Sequence, residues 1–232
     1  VAFDTQAAGV RVILIVEDSP LYLSSLLPFL YKEIVRQTQA AMDESLNEEH
    51  RILRMRARPK ILVAESFEEA QALYRRYAPF ILTMLCDARF PRDGRLDPEA
   101  GIALLGDIRQ RHPDLPLMVF SSEPGNRTRA EALGAHFIDK HAPAPHAGIR
   151  AFFVRNLGFG EFVFRLPDGR EVGRAADLRA MTRVLNTIPD AAIEYHARRE
   201  HFSTWMMARM ELELAHTLRA AKVADFATIA QL

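Results

Sequence analysis

Val12-Ile13-Leu14-Ile15-Val16-Glu17-Asp18 is the stretch on which the reading of this chain turns. Five consecutive apolar residues, mostly β-branched, read as a strand buried on both faces. Two carboxylates stand at its carboxyl end. The pattern recurs three times. Phe80-Ile81-Leu82-Thr83-Met84-Leu85-Cys86 ends on Asp87, Leu117-Met118-Val119-Phe120 ends on Ser121-Ser122, and Ala135-His136-Phe137-Ile138-Asp139 ends on Lys140. In an open parallel α/β sheet, side chains at the carboxyl ends of the strands share one crevice. Glu17, Asp18, Asp87, Ser121 and Lys140 would meet there. Carboxylate oxygens suit Mg²⁺, a hard cation with near-octahedral oxygen coordination. An ammonium and a hydroxyl suit a phosphoryl oxygen. The set reads as an aspartate that accepts a phosphoryl group with Mg²⁺ assistance.

Outward from these strands the pattern alternates. Ser19-Pro20 opens a helix, because serine caps and proline fits the first turn. Leu23, Leu26, Leu27, Leu30 and Ile34 form its apolar face, and Pro28 inside it should kink the axis. Residues 35–58 are rich in helix formers and hold no Gly or Pro, which predicts that the first helix continues beyond the sheet. A second strand is expected at 60–64, and helices at 67–77, 99–111, 126–133 and 146–157. Ala70, Ala72, Leu73 and Tyr77 are expected to face inward on the first of these four helices. Gly134 and Gly158 act as helix stops. The polar run Arg92-Asp93-Gly94-Arg95-Leu96-Asp97-Pro98 reads as turn-rich loop. βα repeated five times is the doubly wound pattern, a five-stranded parallel sheet of flavodoxin-like type with a long first helix.

After Gly160 the grammar changes. Phe162-Val163-Phe164-Arg165 and Arg170-Glu171-Val172 flank Leu166-Pro167-Asp168-Gly169, a hairpin signal. A helix follows over 178–188. Asp190 is the expected N-cap of a long helix over 191–219. The organisation is therefore a sheet domain at 10–157, a small α+β module of hairpin plus two helices at 158–220, and a linker or tail at 221–232.

The chain has 232 residues, 49% of them hydrophobic, with thirty basic and thirty acidic side chains. Zero formal charge argues against a strong non-specific nucleic-acid binder. Cys86 is the sole cysteine, so no intramolecular disulfide exists, and its place in a strand predicts a buried thiol. No apolar run approaches the ~18 residues of a membrane span, and no signal peptide is visible. A cytoplasmic location is expected.

The order of these residues resembles the receiver domain of two-component response regulators over roughly 10–157. The resemblance implies that Asp87 is the phosphoacceptor, that Asp18 and Glu17 bind Mg²⁺, and that the Arg89 carbonyl completes the metal's protein ligands. Ser121 takes the switch hydroxyl position, Phe137 the switch aromatic, and Lys140 the phosphate-pairing lysine. Pro91 and Gly101 fit the turn after the acceptor. Receivers usually carry proline straight after the lysine, whereas His141 follows here, and the loop from Asp87 to Gly101 is longer than usual. Arg89 and Glu123 are expected to approach as an ion pair over the pocket. The stretches Arg54-Met55-Arg56-Ala57-Arg58-Pro59-Lys60, Asp87-Ala88-Arg89-Phe90-Pro91-Arg92-Asp93-Gly94, Ser121-Ser122-Glu123-Pro124, Gly158-Phe159-Gly160-Glu161-Phe162-Val163-Phe164-Arg165 and His201-Phe202-Ser203-Thr204-Trp205 resemble the receiver-like part of phosphoenolpyruvate synthase-like proteins. That implies control of an attached or downstream activity of this kind. No glycine-rich phosphate loop or phosphohistidine motif of such machinery is present in these residues.

The implied function is a regulatory receiver, not an enzyme beyond its own aspartyl phosphorylation and dephosphorylation. A histidine kinase or a small-molecule phosphodonor would supply the phosphoryl group. The competing reading is a receiver-shaped scaffold that takes no phosphate and dimerises through its long helix. A haloacid dehalogenase-type phosphatase would place a second aspartate where Arg89 stands, which argues against that class. His196, Glu200 and His201 fall on the predicted long helix but lack further metal ligands. Trp205, Met206, Met207 and Met210 read as core in preference to a partner groove. Leu46, Ile52, Leu53 and Met55 would be exposed in a monomer, so residues 35–58 are expected to form a two-fold dimer contact.

Overall fold

The computed structural model describes Thr5, residues 10–43, Glu48, Ile52, residues 58–209, residues 211–221 and Asp225. The chain divides into two compact units, Val1–Arg36 with Met55–Phe152 and Gln37–Arg54 with Phe153–Leu232.

The first unit is built on strands β1 (Val12–Val16), β2 (Lys60–Ala64), β3 (Ile81–Cys86), β6 (Leu117–Ser121) and β7 (His136–Asp139). They form one sheet in the order β2-β1-β3-β6-β7, with every pairing parallel. Read along the five strands alone, this is the 2-1-3-4-5 order of the flavodoxin-like doubly wound fold. The short strands β4 (Phe90–Arg92) and β5 (Arg95–Asp97) pair with each other as a separate antiparallel hairpin. Helices α1 (Pro20–Asp43), α2 (Phe67–Tyr77), α3 (Ala100–Arg111), α4 (Asn126–Ala132) and α5 (Pro145–Asn156) complete the alternation.

All five residues of β1 and all six of β3 are buried, as a central strand covered on both faces must be. Val12, Leu14, Val16, Met84, Cys86 and Val119 pack in one cluster with Ala70 and Tyr74 of α2 and Leu104, Leu105 and Ile108 of α3. The opposite pleat carries Ile13, Ile15, Leu85, Met118 and Ile138, all buried. Helix α5 approaches this side through Gly148, where an added Cβ would lie 3.0 Å from the Ile138 side chain. Arg150 of α5 pairs with Glu33 of α1 at 2.6 Å.

Sequence and structure part at several points. Ala72 is exposed, and Tyr74 takes the inward position on α2. Pro28 lies inside a helix that runs on to Asp43. The expected extension to residue 58 cannot be followed further, since Leu46, Leu53 and Met55 lie outside the described residues. The loop after Asp87 is not irregular. Asp93 (φ 52°) and Gly94 (φ 72°) form its turn, the paired left-handed geometry that a two-residue hairpin requires.

In the second unit, β8 (Phe162–Arg165) and β9 (Glu171–Ala175) form the predicted antiparallel hairpin. Four short helices follow among the described residues: α6 (Leu178–Leu185), α7 (Asp190–Ala197), α8 (His201–Ala208) and α9 (Leu212–Ala220). The single long helix expected over 191–219 is therefore three helices. The first break falls at Glu200, whose φ of 56° is left-handed. Propensity favoured continuity there, and the core overrode it. The bend brings Phe202, Trp205, Met206 and Met207 onto Phe162 and Phe164. Asp190 is the first residue of α7 and Pro189 holds the cap position, with no side-chain capping bond. Trp205 and the methionines are core, as expected, and Met210 lies outside the described residues.

A buried arginine closes this core. Arg209 donates to the carbonyls of Gly160 (2.8 Å) and Ala176 (3.0 Å), and its guanidinium lies 3.4 Å from the Trp205 ring centre. Trp205 Nε1 donates to Gly160 O at 3.1 Å. Gly158 (φ 70°) must be glycine, since a Cβ there would come 2.7 Å from the Trp205 Cα.

His196 and His201 form the other polar insert. His196 Nε2 accepts the Arg165 N–H at 2.8 Å, and its Nδ1 lies 2.8 Å from Nδ1 of His201. An imidazole that accepts at Nε2 carries its proton on Nδ1. His196 therefore donates to His201, and both rings are neutral. Burial, chiefly, lowers both from 6.5 to about 4, with Arg165 and Arg199 opposing protonation as well. The unfolded chain takes up these protons from about pH 6.5 downward. The folded chain does so only near pH 4. Stability is thus full above pH 6.5 and is lost as pH falls through that window. We expect the thermal midpoint read from Trp205, the sole tryptophan, to drop steadily between pH 7 and pH 5. His196→Gln should flatten that slope. A wild-type midpoint indifferent to pH over this range would contradict the assignment.

Candidate functional site

The crevice starts from rigid backbone. The parallel ladder runs one residue past three strand ends, with Glu17 N–H donating to Ala64 O (3.0 Å), Asp87 N–H to Val16 O (2.8 Å) and Lys140 N–H to Ser121 O (2.9 Å). The side chains that follow β1, β3 and β7 are thereby launched from fixed positions on one edge.

Lys140 lies at the centre. Its Nζ donates to Glu17 Oε2 at 2.6 Å and to Asp87 Oδ2 at 2.7 Å. The Lys140 and Glu17 side chains are 1% and 2% exposed, and Asp87 is 14% exposed. The Asp87 carboxylate is thus the reachable end of a buried network. Burial pushes the Glu17 carboxyl above its ordinary range. The Lys140 hydrogen bond and charge and the Ser19 N–H work against that rise, and the charge of Asp87 adds to it. Ser19 N–H meets Glu17 Oε1 at 3.1 Å, and Ala88 N–H meets Asp87 Oδ1 at 2.6 Å. One oxygen from each of Glu17, Asp18 and Asp87 lies within 4.8 Å of the others. Among the described residues this is the sole group of three or more carboxylate, imidazole or thiol ligands so gathered. His196 and His201 pair with each other and gather no third ligand among the described residues.

The loop after Lys140 has no proline at position 141. Asp139 holds it instead. The His141 N–H donates to Asp139 Oδ1 at 2.8 Å, and the Ala142 N–H to Asp139 O at 3.2 Å. Proline at 141 would have no N–H for the first of these bonds.

Ser121 ends β6, 2% exposed. Its Oγ accepts from Glu123 N–H (3.1 Å) and from Asn126 Nδ2 (3.2 Å). Both contacts use lone pairs, so the hydroxyl proton is left for a third partner. Phe137, on the neighbouring strand, is 6% exposed beneath the Arg127 guanidinium, 4.7 Å from its ring centre. Arg89, two residues past Asp87, reaches Glu123 at 4.0 Å, with both side chains about half exposed. The β4–β5 hairpin is tied down beside them. Arg92 lies 4.3 Å over the Phe67 ring, and the Asp93 N–H donates to Glu68 Oε1 at 3.0 Å.

The structure therefore brings Glu17, Asp18, Asp87 and Lys140 together and sets Ser121 at the end of the adjacent β6, while Phe137 lies within β7, opposite Val119 and two residues before the strand ends. Arg89 stands outside the cluster with its side chain toward Glu123. Sequence reasoning missed two aromatic neighbours of the ammonium, Tyr22 (4.0 Å) and Phe120 (5.4 Å). It also missed Asn126. The available signal was position: Tyr22 is in the first turn after Asp18, and Phe120 directly precedes Ser121.

No family model matches the chain, and no curated protein does. Several solved structures align with it. A response regulator receiver domain protein from Clostridium thermocellum is 16% identical, covering 63% of this chain and 96% of its own, with a TM-score of 0.44. The chemotaxis protein CheY4 of Vibrio cholerae, crystallised at low pH, is 15% identical, covering 64% and 99%, with a TM-score of 0.43. The response regulator TrrA of Thermotoga maritima, in complex with Mg(2+)-BeF, is 17% identical, covering 61% and 96%, with a TM-score of 0.41. Likeness at this level carries no argument of its own. The fold assignment rests on the strand order and the pairing.

Gly101 gives the site a steric constraint. Its N–H donates to Ala88 O at 2.9 Å. An added Cβ would overlap the Asp87 carbonyl oxygen and come 2.8 Å from the Ala88 Cα. We expect Gly101→Ala to cost about 3 kcal/mol or more, as forced overpacking does. Gly125→Ala, which points into open space, should change stability by about 0.5 kcal/mol at most. Urea denaturation of both variants, followed by circular dichroism, checks this. Equal midpoints would contradict the packing.

Proposed function

We propose that this chain is a phospho-accepting receiver of a two-component-type signalling protein, with Asp87 as the acceptor. The observation that carries the reading is the Lys140 ammonium, 2.7 Å from Asp87 and 2.6 Å from Glu17 at the carboxyl edge of a 2-1-3-4-5 parallel sheet. The carboxylate cluster fits a divalent magnesium ion. It offers three hard oxygen ligands within 4.8 Å of one another, with more negative charge than one ammonium cancels. Glu17, Asp18 and Asp87 would hold the ion, together with the Arg89 carbonyl that the receiver resemblance implies. When bound, the cation offsets the repulsion between these carboxylates and the oxygens of an incoming phosphoryl group.

The chain's own groups then act as follows. An Asp87 carboxylate oxygen attacks phosphorus. The new O–P bond forms as the bond to the donor's leaving group breaks, and the leaving group departs with the electron pair. Lys140 pairs with a phosphoryl oxygen. Ser121 donates its unused proton to another. A histidine kinase or a small phosphodonor supplies the group. The chain catalyses no reaction beyond its own modification and its reversal.

The resemblance to phosphoenolpyruvate synthase-like proteins supports the further reading that the receiver controls an attached or downstream activity of that kind. Dimerisation through residues 35–58 belongs to the same proposal. Ile52, the one described residue of the four apolar positions there, is 39% exposed. A cytoplasmic location is part of it too. No helix among the described residues is long and apolar enough to cross a membrane.

Incubation with Mg²⁺ and acetyl phosphate should add one phosphoryl mass to the wild-type chain. Asp87→Asn or excess chelator should abolish the gain in the intact-mass spectrum. Modification that survives either treatment would sink the assignment, and a wild-type chain that gains nothing would favour the unphosphorylated scaffold.

The Arg89–Glu123 pair is exposed, and such pairs contribute about 1 kcal/mol at most. Its effect is expected in kinetics, by hindering water at the aspartyl phosphate. Arg89→Ala and Glu123→Ala should each speed dephosphorylation about two- to fivefold. Loss of radiolabel over time measures this, and unchanged rates would refute the role.

A further inference from the structure

We propose that Tyr22 is a positioning residue, an aromatic clamp that keeps the Lys140 ammonium aimed at Asp87 while its carboxylate partners change. The inference rests on the receiver reading above and adds a residue to it.

A lysine head is a compact, strongly hydrated charge on a flexible four-carbon stem. Here it is stripped of water, with the side chain 1% exposed. Two of its three N–H donors are met by Glu17 and Asp87. Aromatic surface covers the rest. The Tyr22 ring centre is 4.0 Å from Nζ, and that of Phe120 is 5.4 Å away. The two rings brace each other edge to face, with centroids 6.4 Å apart and planes at 78°. They come from different elements, the first turn of α1 and the end of β6, so the clamp joins the two sides of the crevice.

The chemistry explains the choice of a ring. A cation held by the same carboxylates competes with the ammonium for their charge, so its bonds to Glu17 and Asp87 weaken when the site is loaded. A polar holder would compete for the N–H donors that a phosphoryl oxygen needs. A π-face attracts the charge without consuming those donors in a strong hydrogen bond. Tyr22 can therefore retain the ammonium in the crevice while it turns from Glu17 toward the phosphoryl group.

The test is a double-mutant cycle with two readouts. Tyr22→Phe keeps the face, Tyr22→Leu removes it and keeps an apolar side chain, and each is combined with Lys140→Met. In metal-free protein, Tyr22→Leu should lower the thermal midpoint by about 3 °C when Lys140 is present and leave it nearly unchanged in the Lys140→Met background. With Mg²⁺ and acetyl phosphate, Tyr22→Leu should slow phosphoryl gain about tenfold, while Tyr22→Phe stays within about twofold of wild type. No coupling in the unfolding cycle, or a Tyr22→Phe variant as slow as Tyr22→Leu, overturns the clamp. A wild-type chain that gains no phosphoryl group but shows the coupling leaves the clamp standing and defeats the receiver reading alone.

Discussion

One ammonium ion between two carboxylates sets the terms for the crevice. Three carboxylates with oxygens within 4.8 Å of one another repel by about 3 kcal/mol per pair at an effective dielectric of 20. Burying Glu17 at 1% exposure adds its own desolvation cost. Without Lys140 the edge of the sheet would carry this load uncompensated, and removing one partner of such a buried pair typically costs about 3–5 kcal/mol. With Lys140 in place the cluster is held together but still negative. The same arrangement that lets the chain fold thus leaves the edge of the sheet negative, and it sets the one positive group against Asp87, the reachable end of the network.

The supporting structure serves that geometry. Backbone bonds that extend the ladder past β1, β3 and β7 fix where the side chains begin. Asp139 ties the loop beyond Lys140. Gly101 allows α3 to start against the backbone of Asp87, closer than any side chain permits. The β4–β5 hairpin then carries the chain from Asp87 to α3 as ordered structure, anchored on Phe67 and Glu68 at the start of α2.

Much of this was legible in the sequence because parallel sheets collect their functional side chains at strand ends, and buried strands announce themselves as unbroken apolar runs. The residues following β1, β3 and β7, and the serine that ends β6, could be read as one site before any coordinates. What escaped was set by tertiary contact. Tyr74 and Ala72 exchange places because a ring two positions later fills the space beside His112, 5.9 Å away. Residues 90–97 read as loop because three-residue strands are too short to show alternation and Pro91 lowers β-propensity, although Asp93-Gly94 was the turn signal. The helix over 191–219 had no Gly or Pro to break it. It bends at Glu200 because four aromatic residues, Phe162, Phe164, Phe202 and Trp205, are buried together only if it does. Arg209 gave no sequence signal at all, since a lone arginine on a helix reads as solvent-facing.

Cys86 is the only thiol in the chain, and it is fully enclosed in the strand that delivers Asp87. Burial raises its pKa well above the ordinary thiol value, so it is doubly shielded from electrophiles, by access and by protonation. Trp205, the only indole, is buried in the other unit. The chain therefore carries one covalent and one optical reporter, segregated by unit. The rate at which an alkylating agent captures Cys86 reports opening of the sheet beneath Asp87, while indole emission reports the helical module. Whether the two units open in concert or separately is written into the ratio of those signals, with no engineered residue needed.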